Sequence, residues 1–478
     1  MPSPITHAQP PLEFIPPAFN SIALQGMRSL VPLYRRWRAH VTEVKTTNVE
    51  TLATLYQQFQ AGEIRLLLAF RHPSTNDPLC MAHLLWGSVP KVARQRGIRL
   101  DASAVHAHFI YDRGIPLWAG EAIGWLYSRL GGTPIRRGRV DIVGLRSIRQ
   151  LFAEGQFPMA AAPEGATNGH NEIVSPIEPG IAQFGFWCIE DQLKEGRSLP
   201  VVIAPIGIQY SFAAAPWKSL ERLLSQLESD AGIKSATSEV TLTLQNGLPP
   251  TEAQTTELYQ RFYRLAEHLL FLMERFYHKF YHQALPAPLD EAVKKTPPQG
   301  ATPLTHEQLA EHLQRLLNAV LSVAEQYFNL TPKGSITDRC RRLEQAGWDW
   351  IYREDLKHLE TLSIVERGLA DRIAEEANLR LWHMRLVETF VSVTGHYVVE
   401  KPTAERFADT LLLLWEMIAR ISDRPSFPRP VLGQQHAHVT VGEPINVSER
   451  WESYQANRRQ AVATLTQDLQ TALEKMIH

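Results

Sequence analysis

The chain has 478 residues, enough for two or three domains or for one large domain with an interruption. Hydrophobic residues make up 44% and charged residues 21%, the balance of a globular protein in water, and a net charge of −1 argues against non-specific nucleic-acid binding as the main activity. Cys80, Cys188 and Cys340 lie far apart with no Cys-x-x-Cys spacing, which suggests neither a disulfide framework nor a zinc site and fits a reducing cytosol.

Residues 1–20 carry six prolines and read as a disordered or loosely docked leader. The start Met1-Pro-Ser-Pro-Ile-Thr-His7 has no basic stretch followed by an apolar one, so no secretory signal is expected. Residues 21–60 read as helical, with Leu52, Leu55, Tyr56 and Phe59 at helical spacing. From 64 to 210 short apolar runs (64–70, 109–111, 158–162, 201–208) alternate with helical stretches (118–130, 144–153, 180–195). That alternation predicts an α/β fold whose mostly parallel sheet is flanked by helices.

Beyond about residue 214 the pattern turns to long amphipathic helices, the first over 259–281. Residues 284–303 read as a Pro-rich linker, and Thr305-His-Glu-Gln308 as a capping box opening the next helix. The helical character runs to about 429. A strand over 438–441 and a closing helix from about Arg450 follow. The expected division is a leader 1–20, an α/β core 21–210, an all-helical segment 211–429 and a return to the core over 430–478. No run of about 18 uninterrupted apolar residues occurs, so membrane contact would be peripheral and a cytoplasmic location is expected.

Of 18 histidines only His72 has an aspartate five residues on, Asp77, and it follows the apolar run 64–70. At the end of a strand, such a pair can hold an imidazole ready to take a proton from an alcohol. Four stretches then occur in order: Arg71-His72-Pro-Ser-Thr-Asn-Asp77, Gly131-Gly-Thr-Pro-Ile-Arg-Arg137, Ala162-Pro-Glu-Gly-Ala-Thr-Asn168 and Leu199-Pro-Val-Val-Ile-Ala-Pro205. Their order and spacing resemble the four motifs of the glycerolipid (lysophosphatidic acid) acyltransferase superfamily over residues 49–210. Val439-Thr-Val-Gly-Glu-Pro-Ile445 resembles its last strand, which would make the helical segment an insertion.

The resemblance implies transfer of a fatty acyl group from acyl carrier protein or acyl-CoA to a lipid hydroxyl, most simply that of 1-acylglycerol 3-phosphate. It implies no metal or cofactor and no covalent acyl-enzyme. His72 would be the general base and Asp77 its orienter. Arg137 would bind the acceptor phosphate. Glu164, followed by Gly165 in a tight turn, would bind an acceptor hydroxyl or a nearby arginine, and Pro205 would shape the acyl pocket. The third motif departs from the family, because Ala166-Thr167-Asn168 stands where an arginine is usual. Arg71, Arg136 or Arg139 would replace that arginine, or else the acceptor lacks a phosphate. A non-catalytic lipid- or protein-binding scaffold of the same fold is the alternative. Thr167, Asn168 and His170 read as ordinary loop residues, His106 and His108 as structural, and the helix 259–281 as core rather than membrane-facing.

Overall fold

The computed structural model describes residues 6–136, 140–233, 244–285, 304–356, 361–390 and 396–477. It divides into two compact units. One holds residues 13–213 and 434–478, the other 1–12 and 214–433.

In the first unit, the described residues form an eight-stranded sheet. Its strands are β1 (Val41–Thr47), β2 (Arg65–Phe70), β3 (His108–Asp112), β4 (Thr133–Ile135), β5 (Met159–Ala161), β6 (Val201–Phe212), β7 (Gln435–Val441) and β8 (Ile445–Asn446). The order across the sheet is β1-β7-β6-β2-β5-β3-β4, with β8 also on β6. Every pairing is parallel except those of β7 and β8 with β6.

All six residues of β2 are buried, and from Leu66 to Phe70 they are the apolar run of a strand covered on both faces. Leu66, Leu68 and Phe70 join one core with Leu52, Tyr56 and Met81. Leu67 and Ala69 join the other, with Phe152, Phe186 and Leu465. Pro205 lies inside β6, between the stretch paired to β8 and the stretch paired to β7. The ring therefore falls at a gap in the ladder, where its missing N–H removes no strand bond.

The region 21–60 is not all helical. It forms α1 (Ser21–Trp37), then β1, then α2 (Val49–Gln60). Val41, Thr42, Val44, Thr46 and Thr47 are β-branched, and β1 is an edge strand whose outer residues face water, so neither periodicity nor hydrophobicity announces it. The described part of the leader, from residue 6, expected to be disordered or loosely docked, makes backbone bonds and ring contacts. In the first unit Ala18 N–H bonds Ser128 O at 3.0 Å, and the ring of Phe19 meets that of Phe157 edge-on. In the second, Gln9 N–H bonds Ile351 O at 2.8 Å.

The second unit is helical among its described residues. The helix Glu252–Tyr281 buries Leu258, Phe262, Leu265, Leu269 and Met273, so it is a core element. Thr305 and Gln308 form the expected capping box of the helix His306–Tyr327. Buried charges are paired: Arg339 grips Glu325 through two nitrogens at 2.8 and 2.7 Å. Most of the linker 284–303 lies outside the described residues.

Candidate functional site

The carboxyl ends of β2, β5, β3 and β4 share one edge of the sheet. In parallel sheets this edge is where ligands bind, because helices cover the faces and the loops here are free to vary. Residues 72, 136 and 164 leave the sheet along it.

Past Phe70 the chain leaves β2 through Arg71 and His72 and turns at Pro73 to Asn76. It then enters α3 (Asp77–His83) with Asp77 as the first helical residue. The turn folds Asp77 back onto the strand end. His72 Nδ1 lies 2.9 Å from Asp77 Oδ2, with Asp77 fully buried and the imidazole 23% exposed. Ser74 N–H donates to the same oxygen at 2.8 Å, and the Tyr210 hydroxyl donates to Asp77 Oδ1 at 2.5 Å. Each neighbour of this carboxylate is a donor, so Nδ1 carries the imidazole proton and Nε2 is left as the basic nitrogen.

Tyr210 lies deep on β6. Burial, then the charge of Asp77, raises its pKa well above the ordinary value. Cys80 Sγ is 3.3 Å from the Tyr210 hydroxyl, and burial pushes its thiol up to about 12. Both groups thus keep their protons, and a chain of donors runs from Cys80 through Tyr210 to Asp77. Asn171 fixes the Tyr210 backbone, with Oδ1 accepting from Tyr210 N–H at 2.6 Å and Nδ2 donating to Tyr210 O.

Glu164 follows β5 and is 3% exposed. Its Oε1 accepts from His72 N–H at 2.7 Å, and its Oε2 from Asn168 Nδ2 at 2.8 Å and Ser175 N–H at 3.0 Å. Burial raises its carboxyl pKa, while the charge of Arg71 and the His72 and Ser175 amides pull the other way. Gly165 is at φ +71°, a left-handed conformation that glycine adopts without strain, and the Glu178 carboxylate packs against it where a Cβ would otherwise stand.

Arg71 is fully buried. Its guanidinium donates to the carbonyls of Asn171 (2.5 Å), Ile208 (3.1 Å), His170 (2.9 Å) and Ile173 (2.7 Å). Arg71, expected to bind the acceptor, and Glu164, expected to bind an acceptor hydroxyl or a nearby arginine, tie the His72 segment to the loop after β5, and the charge of Arg71 acts on the Glu164 carboxyl. Arg136 leaves β4, and its amide donates to Asp141 Oδ2 at 2.9 Å. Arg137 and Arg139 lie outside the described residues.

Two participants were read as ordinary in the sequence. The hydroxyl of Thr167 stands 3.1 Å from His72 Nε2, and Asn168 bridges Glu164 and Ile173 O. Thr167 could have been noticed by its place three residues after Glu164. Tyr210 carries no such signal. His106 donates from Nε2 to Leu130 O at 2.8 Å and takes Trp86 Nε1–H on Nδ1 at 3.3 Å, the bonding of a neutral structural histidine. Comparison of the chain with protein-family models, with curated proteins and with solved structures finds no match.

Proposed function

We propose that this chain is an O-acyltransferase of the glycerolipid acyltransferase kind. It moves a fatty acyl group from acyl carrier protein or acyl-CoA to a lipid hydroxyl, most simply that of 1-acylglycerol 3-phosphate. The observation that carries the reading is His72 Nδ1 at 2.9 Å from the buried Asp77, at the carboxyl edge of a parallel sheet. An alcohol is a poor nucleophile at neutral pH, and Nε2 of an imidazole so oriented takes its proton as the oxygen attacks the thioester carbon. Asp77 then stabilises the imidazolium, which returns the proton to the leaving thiol.

Arg137 is the acceptor-phosphate ligand in this reading, with Arg136 beside it at the exit of β4. The carboxyl ends of β2 and β4 stand three strands apart, or about 14 Å at the usual strand spacing. An imidazole and a long arginine side chain reaching toward each other from those ends would leave a gap on the scale of a glycerol phosphate. One observation favours a second acceptor class, an alcohol without phosphate: Arg71 is bound to four carbonyls and so does not replace the arginine absent from the third motif.

We also propose that the lipid substrate is met at a bilayer, through α1. Ile22, Leu30, Leu33, Tyr34 and Trp37 are all exposed on it, and at helical spacing they share one arc of about 120°. No acidic residue occurs between Glu13 and Glu43, while Arg36 and Arg38 are exposed. That charge fits an anionic lipid surface. None of the described helices is long and apolar enough to cross a membrane.

The test is release of free carrier thiol from an acyl thioester by purified protein, with a panel of phosphorylated and phosphate-free lipid alcohols. Acceptor-dependent release that disappears in His72→Ala is expected. Full activity in His72→Ala would overturn the assignment of the base, and preference for phosphate-free alcohols would select the second acceptor class.

A further inference from the structure

Asp77 turns one carboxylate oxygen to the imidazole and the other to the interior. Oδ2 accepts from His72 Nδ1–H at 2.9 Å and from Ser74 N–H at 2.8 Å. Oδ1 accepts from the Tyr210 hydroxyl at 2.5 Å. The single phenol proton goes to Asp77, so in the 3.3 Å contact between Cys80 Sγ and the Tyr210 oxygen the thiol is the donor. Donation therefore runs from Cys80 to Tyr210 to Asp77, and Asp77 faces His72.

These groups are closed off from solvent. Asp77 and Cys80 are fully buried and Tyr210 is 5% exposed. With no water to share the carboxylate charge, each donor draws a larger part of it. Tyr210 is also fixed in place, because Asn171 holds its backbone amide and carbonyl. The other charged groups around the pair are Glu164 after β5, Arg71 after β2 and Arg35 of α1, which acts on Cys80. Among the described residues outside the His72 turn, Tyr210 is the one hydrogen-bonded to Asp77.

Orienting the ring needs only the Oδ2 contact. The Oδ1 contact does something else. A buried carboxylate with its full charge grips an imidazolium, and an imidazolium has no free nitrogen to take a proton from an alcohol. Charge drawn toward the Tyr210 hydroxyl weakens that grip and leaves the ring in place.

We propose that Tyr210, backed by Cys80, is a positioning residue that lowers the proton affinity of His72 through Asp77 and so keeps Nε2 free as a base at neutral pH. The proposal rests on His72 being the base of the acyl transfer above, but the link from Tyr210 to His72 can be read without that reaction. When the Tyr210 hydroxyl is removed, Asp77 holds the imidazolium more tightly and His72 stays protonated to higher pH. The acid limb of the rate profile then moves up.

The experiment titrates His72 in the full chain by NMR of isotope-labelled histidine rings, with His72→Ala identifying its signal. The pH profile of acceptor-dependent thiol release is recorded beside it. In Tyr210→Phe both midpoints should rise by about one pH unit. The KM for the acceptor should not change, since Tyr210 touches no substrate. Cys80→Ala should raise the midpoints by less. A ring-fluorinated tyrosine in place of Tyr210 is a stronger donor of the same shape and should lower them. Loosening of the core does not produce shifts of opposite sign, and melting curves confirm that each titration is of folded protein. Should Tyr210→Phe not fold, the fluorinated chain and Cys80→Ala carry the test.

A His72 midpoint that stays put in the folded variants, or moves the same way in all of them, would overturn the proposal. The predicted NMR shifts without thiol release to any acceptor would uphold the link from Tyr210 to His72 and overturn acyl transfer. Acceptor-dependent release whose acid limb ignores these changes would overturn the role of Tyr210 and leave acyl transfer standing.

Discussion

Asp77 is held by three donors, from His72, Ser74 and Tyr210, and this set decides what its variants do. Asp77→Asn puts an amide among donors and favours the wrong imidazole tautomer. Turnover is expected to fall about 10⁴-fold with the fold retained, read as acceptor-dependent thiol release. Tyr210→Phe removes one donor from a carboxylate with no access to water. It should cost about 1–3 kcal/mol in urea unfolding, and unchanged stability would show that the Tyr210 bond is not formed. The pairing of His72 with Asp77 was legible because five residues carry the chain from a strand end to the first turn of a helix. Tyr210 was not, being 133 residues from Asp77 and brought there only by the sheet order. Charge alone misled for Arg71. In β2, Leu67 and Ala69 face the second core, and Arg71 continues their parity, which turns it away from a solvent-borne phosphate.

At the scale of elements, the apolar runs gave β2, β3, β5 and β6 to within a few residues, because strands inside a covered parallel sheet are largely apolar; β7, half-buried and alternating, was read only over its last four residues. Two edge strands escaped. β4 has three residues, too few to show a period, and β1 alternates β-branched residues with Glu43 and Lys45 in water. Helical spacing was sound for α2 and was wrongly extended through β1. The same spacing in α1 separates its exposed apolar arc from the buried Leu24 and Val31, and this carries the bilayer proposal. Replacing Leu33 and Trp37 by serine should abolish co-sedimentation with anionic phospholipid vesicles while leaving the melting temperature unchanged. Undiminished binding by that variant would remove α1 from the contact.

Across the whole molecule, the expected change of character near residues 210 and 430 compares with unit boundaries at 213/214 and 433/434. Composition reveals such a change because a parallel sheet and a set of amphipathic helices need different residue patterns. What it could not reveal was the leader, whose prolines suggest disorder while Ala8 is buried and Phe19 packs on Phe157. Each unit also contains a histidine that burial keeps neutral. His106 in the α/β unit and His383 in the helical unit are both lowered from 6.5 to about 4. The unfolded chain takes up these protons near pH 6.5, and the folded chain only near pH 4. Their contribution to stability is therefore present above pH 6.5 and is lost as pH falls toward 4, by up to about 3 kcal/mol each. Urea unfolding at pH 7.5 and pH 5 should show this loss, with a smaller difference in His106→Gln; equal stability at the two pH values would contradict it.

The central claim is that His72, oriented by Asp77, serves acyl transfer to a lipid alcohol. The most direct measurement is the rate of carrier-thiol release from an acyl thioester as acceptor lipid is titrated, in wild type and in His72→Ala. The account predicts saturable, acceptor-dependent release with an acylated lipid as product in wild type, and its loss in the variant. Release that ignores the acceptor, or a variant as active as wild type, would contradict it.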